Sequence, residues 1–132
     1  MQTAKGAFEV TITPQSHQEG VGDSSVARMA LVKVFIGDMN GTGLGQMLAY
    51  RSSVAGSAGY VAMENVQGVL NGRAGSFIMQ HNGTMNRGEP QLSIKIVPDS
   101  GTEQLSGIAG EMLLKIEDGK HYYEFQYALP EA

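Results

Sequence analysis

Apolar and polar residues alternate in short runs along most of the chain. From Gly6 to Thr13, Phe8, Val10 and Ile12 share one face, and Glu9, Thr11 and Thr13 share the other. That period of two predicts a half-buried β-strand. Further strands are predicted over Val26–Ile36, Leu44–Ser53, Gly59–Leu70, Arg73–Asn82, Gln91–Val97, Gly110–Glu117 and Lys120–Leu129. Between them lie a polar loop, Pro14 to Ser25, a Gly-rich turn, Gly37 to Gly43, a turn at Gly56 to Gly59, and a loop from Asp99 to Gly107. No segment keeps a helical period for more than two turns, so almost no helix is expected.

Two turns fix register. Asn71-Gly72 and Asp118-Gly119 are two-residue loops that supply φ > 0 at both central positions, as a type I′ hairpin requires. In the later hairpin Glu117 then pairs with Lys120, which sets Leu114 opposite Tyr123 and Met112 opposite Phe125. One face carries Met112, Leu114, Ile116, His121, Tyr123, Phe125 and Tyr127, and its apolar, aromatic character makes it the inside. In the earlier hairpin Leu70 pairs with Arg73, which sets Val66 opposite Phe77, Glu64 opposite Met79 and Ala62 opposite His81. The face centred on Val66, Phe77 and Met79 is read as interior, and it brings Tyr60, Glu64 and His81 with it. Glu64 and His81 become diagonal neighbours on the inner wall.

About eight short antiparallel strands leave two exposed edges unless the sheet closes, so a closed barrel is the predicted architecture, with a two-sheet sandwich as the alternative. Eight strands enclose a space that side chains can fill or that can hold one small ligand. The second strand is apolar on both faces: Met29, Leu31 and Phe35 alternate with Ala30, Val32, Val34 and Ile36. A strand with one wet face should not look so. The outward set predicts a second buried surface, read as a homo-oligomer contact (dimer or trimer), with a loop or terminus folded over the outside as the simpler reading.

Composition narrows the function classes. The 132 residues suit a single domain spanning 1–132, large enough for a core without staples. The absence of cysteine removes disulfides and thiolate metal sites, and fits a cytoplasmic setting. Neither a secretory leader nor an apolar membrane-spanning run is read in the sequence, so no membrane partner is expected. A net charge of −4 without a basic cluster argues against nucleic acid. The 18 scattered glycines read as turns and bulges.

Few residue groups could carry chemistry. Gly41-Thr42-Gly43-Leu44-Gly45 lacks the lysine, spacing and following helix of a phosphate loop. Asn40-Gly41-Thr42 and Asn82-Gly83-Thr84 match the glycosylation sequon by chance. His17 falls in a solvated loop. His81, His121 and Glu64 are the right types for a two-His, one-carboxylate zinc site, but no spacing signature supports one, and neither metal nor cofactor is expected. No serine lies in a nucleophile-elbow sequence. The strongest candidates line the interior: Glu64, His81, Tyr60, Phe77, Met79, His121, Tyr123 and Tyr127. A carboxylate among Val66, Phe77 and Met79 is expected to have a raised pKa and to serve as a general acid or base. A satisfied polar network that pins strand register is the competing reading. Lys33 faces inward if Met29, Leu31 and Phe35 do, and would then pair with Glu64.

At these residues the chain resembles a family of small, uncharacterised bacterial proteins. The resemblance is carried by Gly56-Ser57-Ala58-Gly59-Tyr60-Val61-Ala62-Met63-Glu64, Gly72-Arg73-Ala74-Gly75-Ser76-Phe77 and Gln80-His81-Asn82-Gly83-Thr84-Met85. Val97-Pro98-Asp99-Ser100-Gly101-Thr102 and Leu105-Ser106-Gly107-Ile108-Ala109-Gly110 extend it over nearly the whole chain. The family is a domain of unknown function whose fold is similar to the eight-stranded barrel of plant allene oxide cyclase and, more loosely, of dirigent proteins. The resemblance implies a barrel with an apolar cavity and oligomerisation, and carries over no reaction. The expected function is binding of a small apolar molecule in the barrel, with chemistry of the cyclase or isomerase kind as an extension. The alternative is a packed barrel acting as a structural or interaction protein through a homo-oligomer surface.

Overall fold

The computed structural model describes residues 1–130. Eight strands run in chain order: β1 (Gln2–Pro14), β2 (Ala27–Gly37), β3 (Met39–Arg51), β4 (Ala58–Leu70), β5 (Arg73–Asn86), β6 (Glu89–Ile96), β7 (Ala109–Glu117) and β8 (Lys120–Ala128). Each pairs antiparallel with the next, and β8 pairs back onto β1, so the sheet closes into a barrel as the pattern predicts. The hairpin registers read from Asn71-Gly72 and Asp118-Gly119 hold throughout: Glu64 lies opposite Met79, Ala62 opposite His81, and Leu114 opposite Tyr123.

The Gly-rich segment is the main departure from the sequence reading. Gly41 and Gly43 are not turn residues but lie within β3, and the β2–β3 connection is a sharp corner at Gly37 and Asp38. Glycine is needed here because the interior is crowded. A methyl group at Gly43 would collide with the Glu64 carboxylate, and one at Gly41 with the Gln67 carbonyl. The corner is held by other means. Lys5 N–H donates to Asp38 Oδ2 at 2.9 Å, and the Tyr123 hydroxyl accepts from Met39 N–H at 3.0 Å while facing the carbonyls of Ile36 and Met39.

Strand β5 extends to Asn86 and turns through Arg87-Gly88, both at positive φ, into β6. Arginine at the first position of such a turn is rare, so the sequence gives no hairpin signal there. The long β6–β7 connection includes a single 3-10 turn, Glu103–Leu105. It crosses one end of the barrel, where Leu105 and Ile108 plug the interior and pack with Phe77, Met39, Leu70, Phe125 and Tyr127. This is the closed end. At the other end, where β1 finishes and β8 begins, no connection among the described residues forms a comparable plug, and the rim is made by half-buried Val10, Met29, Met47, Tyr60 and Leu114. The barrel is least tightly zipped between β6 and β7, whose only paired residues among those described are Lys95 and Glu111.

The plug at the closed end makes a stability prediction. Leu105→Ala should cost about 2–5 kcal/mol, because its side chain is fully buried and leaves a void. Leu113→Ala on the outer wall should stay within about 0.5 kcal/mol. Urea midpoints at unchanged slope would show the difference.

Candidate polar cluster beneath the open end

Three charged or ionisable side chains meet inside the barrel. Lys33 comes from β2, Glu64 from β4 and His81 from β5, and each is buried because inward positions recur every second residue along its strand. Lys33 Nζ lies 2.8 Å and His81 Nε2 2.6 Å from the same oxygen, Glu64 Oε1. Lys33 also sits over the Phe8 ring, 5.2 Å from its centroid, and 6.0 Å from that of Phe35. Aromatic faces attract a cation, so these rings help to hold the ammonium away from water.

The second carboxylate oxygen is treated differently. Glu64 Oε2 is the one buried side-chain polar atom among the described residues without a hydrogen-bond partner. It points toward Gly43, the position where a side chain would collide with it. Leaving a buried charged acceptor half-satisfied costs on the order of 1–3 kcal/mol or more. Such an atom in a native fold marks a place where a water or another donor group can bond.

The charge state differs from the sequence expectation. Burial is the strongest single influence and pushes the Glu64 carboxyl up. The hydrogen bond from His81, with the charge and hydrogen bond of Lys33, outweighs it and holds the group below the ordinary glutamate value. The expected raised pKa is thereby reversed, because sequence alone does not show two donors converging on one oxygen. A carboxylate only accepts, so the proton of the short His81 contact is on Nε2. The Tyr60 hydroxyl is pushed above its ordinary value by burial and by the nearby negative charge of Glu64. Its ring covers Gly83 and lies 6.4 Å from the His81 ring.

The remaining inner-wall candidates divide between the two ends. His121 stands near the open end, 5.2 Å from the Phe8 ring, and does not join Glu64 and His81. Among the described residues no three His, Cys, Asp or Glu side chains gather as a metal site would need. Phe77 and Met79 are buried core. Tyr123 and Tyr127 face inward, but their hydroxyls tie strand ends together. Tyr127 accepts from Asn71 Nδ2 at 2.8 Å and donates to Gln2 Oε1 at 3.1 Å. Met29, read as inward from the second strand's parity, pairs across the strands with Met47, which sequence reasoning passed over, above Gly43 and Gly45. Both side chains are half-buried.

Two surface grooves, of about 700 and 780 Å³, lie outside this cluster. The first runs over the outer wall along Gly6, Ala7, Tyr122 and Leu113. The second starts at the rim, where β1 outruns β8, and takes in Phe8, Val10 and His121.

Residues 4–127 match a family described as protein of unknown function (DUF3224). The chain belongs to the DUF3224 family. It is also similar to the crystal structure of a DUF3224 protein of unknown function from Shewanella oneidensis MR-1. The two are 42% identical, with a TM-score of 0.91, over 100% of this chain and 99% of that one. No curated protein matches the chain. The DUF3224 match bears out the resemblance seen in the Gly-rich stretches, and the eight-stranded barrel agrees with the fold it implied. Among the described residues no helix is long and apolar enough to cross a membrane.

Two predictions follow from the cluster's electrostatics. Lys33→Met should destabilise the fold by about 3–5 kcal/mol, since it strips one donor from a buried carboxylate. Lys33→Met with Glu64→Gln should recover most of that loss, because the amide oxygen still accepts from His81 and no charge remains unpaired. Denaturant titrations of both variants test this. The second concerns pH. The folded-state value of Glu64 lies below its unfolded value, so its stabilisation is complete above the ordinary carboxylate range and is lost as pH falls from that range through the lower folded-state value. Melting temperatures followed from neutral to acid pH should fall more steeply in the wild type than in Glu64→Gln.

Proposed function

We propose that this DUF3224 protein binds a small, largely apolar molecule at the open end of its barrel, and that the Lys33–Glu64–His81 cluster supplies the polar contact. The observation that carries this reading is Glu64 Oε2, a buried carboxylate oxygen with no donor, beneath an apolar rim. Sites for small molecules are mostly apolar with a few convergent polar groups, and a packed end beneath an open one suits that form. Entry would require Met29, Met47 and Tyr60 to swing aside, and two of these three are unbranched thioethers with cheap rotamer changes. The ligand group that completes Oε2 is a hydrogen-bond donor, such as a hydroxyl or an amide N–H.

Chemistry of the cyclase or isomerase kind on such a ligand would fall to His81 and Glu64. They form a hydrogen-bonded pair in which the carboxylate fixes the imidazole tautomer, an arrangement suited to moving a proton. A second reading is supported by the filled closed half: a packed barrel that acts as a structural or interaction protein through its outer wall.

Native mass spectrometry of gently purified protein is the test. The binding reading expects a co-purifying molecule, or uptake of apolar hydroxyl-bearing probes added in solution, with the Lys33→Met, Glu64→Gln double variant, which leaves no buried charge unpaired, losing it while keeping a folded barrel at neutral pH. Wild type that takes up nothing, or a folded double variant that still takes up the probe, would favour the structural network instead.

A further inference from the structure

The outer wall of the barrel has two unlike halves. Around β6, β7, β8 and β1 it is studded with charges of both signs. Lys95 pairs in register with Glu111, and Lys5 and Glu124 stand 3.4 Å apart. Around β2 to β5 the pattern changes. Every second residue faces outward from Ala30 to Ile36, Asn40 to Tyr50, Val61 to Val69 and Ser76 to Thr84, and none of them is charged. Within this half Val32, Val34, Ile36, Leu44, Leu48 and Met63 are each about half exposed. Cross-strand pairing sets Val32 beside Leu44, and Leu48 beside Val61, so the apolar side chains form one continuous patch rather than scattered points. Monomeric proteins rarely leave such a patch in water. Among the described residues no connection covers its upper part. The only long connection of this half, Gln15 to Val26, is exposed throughout, and the Val97–Ile108 connection covers the lower part of β5 through Ser100 and Thr102.

We infer that this uncharged face is the contact through which two copies of the chain associate. Three observations select a second copy over other occupants. First, the chain carries a net charge of −4, so two copies repel unless they meet where charge is missing, and this is the one broad face without any. Second, leaving out Ser76 and Ile78, which lie under the Val97–Ile108 connection, the face offers about eighteen outward residues, close to the lower end of the roughly 20–30 residues a side, or about 800 Å² per partner, of a stable interface. Third, β2, β3, β4 and β5 are each paired on both sides, so no free strand edge is on offer to an extended peptide, and contact must be side chain against side chain. A membrane surface is disfavoured, because peripheral binding to anionic lipid relies on lysine and arginine, which the face lacks. A two-fold contact is self-complementary, and the face mixes apolar residues with amides and hydroxyls such as Gln46, Asn65 and Thr42, which can serve both partners equally.

Light scattering coupled to size exclusion, on the full chain over a concentration series, tests the inference. The expected species has twice the 14.0 kDa chain mass. Val34→Glu with Leu44→Glu should raise the dimer dissociation constant by at least roughly 100-fold, since like charges are forced together across the contact. Circular dichroism and melting temperature should report an intact barrel in that variant. Leu113→Glu, equally exposed on the charged half, should leave the mass unchanged. A wild type that stays monomeric at high micromolar concentration would overturn the inference. So would a dimer that survives the paired glutamates or is broken by Leu113→Glu.

Discussion

An ionised carboxylate inside an apolar barrel can persist only if the same barrel brings it donors. In this protein one oxygen of Glu64 receives both, from Lys33 and His81, and that demand organises much of what surrounds it. Three of the eight strands must present inward polar residues at one level. The facing strand must give up its side chain at Gly43 to make room. The aromatic rings of Phe8 and Phe35 must take positions that shield the lysine. A one-residue slip of β4 against β5 would turn Glu64 out and break all of these contacts together, so the cluster also enforces register.

The cluster marks a division of labour along the barrel axis. Below it, large side chains fill the interior, and a loop carrying Leu105 and Ile108 seals the end. Tyrosine hydroxyls in that half tie strands together, Tyr123 to backbone at the β2–β3 corner and Tyr127 to the side chains of Asn71 and Gln2. Above the cluster the wall carries Val10, Leu31, Met29, Met47, Leu114 and the glycines of β3, and Tyr60 places an aromatic ring near His81. Packing is densest at the plugged end, and the cluster lies buried above it. Around the circumference there is a second division, between a charged half and an uncharged one, and it is independent of the first.

Much of this was legible in the sequence because two-residue turns fix register. Asn71-Gly72 alone placed Glu64 diagonal to His81, and the parity of the second strand placed Lys33 on the same wall. The same parity exposed Val32 and Val34 as outward and apolar. Other features were hidden. Glycines in β3 look like a turn in sequence, and only the facing carboxylate explains why they are strand residues. The direction of the Glu64 shift could not be read either, since burial alone predicts the opposite sign and the outcome depends on two donors reaching one atom. Which inner residues lie at the open end and which at the plug depends on where the Val97–Ile108 connection crosses, and no local pattern encodes that.

The account rests on Glu64 being an ionised, buried acceptor rather than a neutral acid. Carbon-13 NMR of the glutamate carboxyl groups, with the Glu64 signal assigned by its loss in Glu64→Gln, measures this directly. The predicted titration midpoint lies below the ordinary glutamate range. A midpoint displaced upward toward neutral pH would mean that burial wins over Lys33 and His81, and would contradict the arrangement on which the proposed site depends.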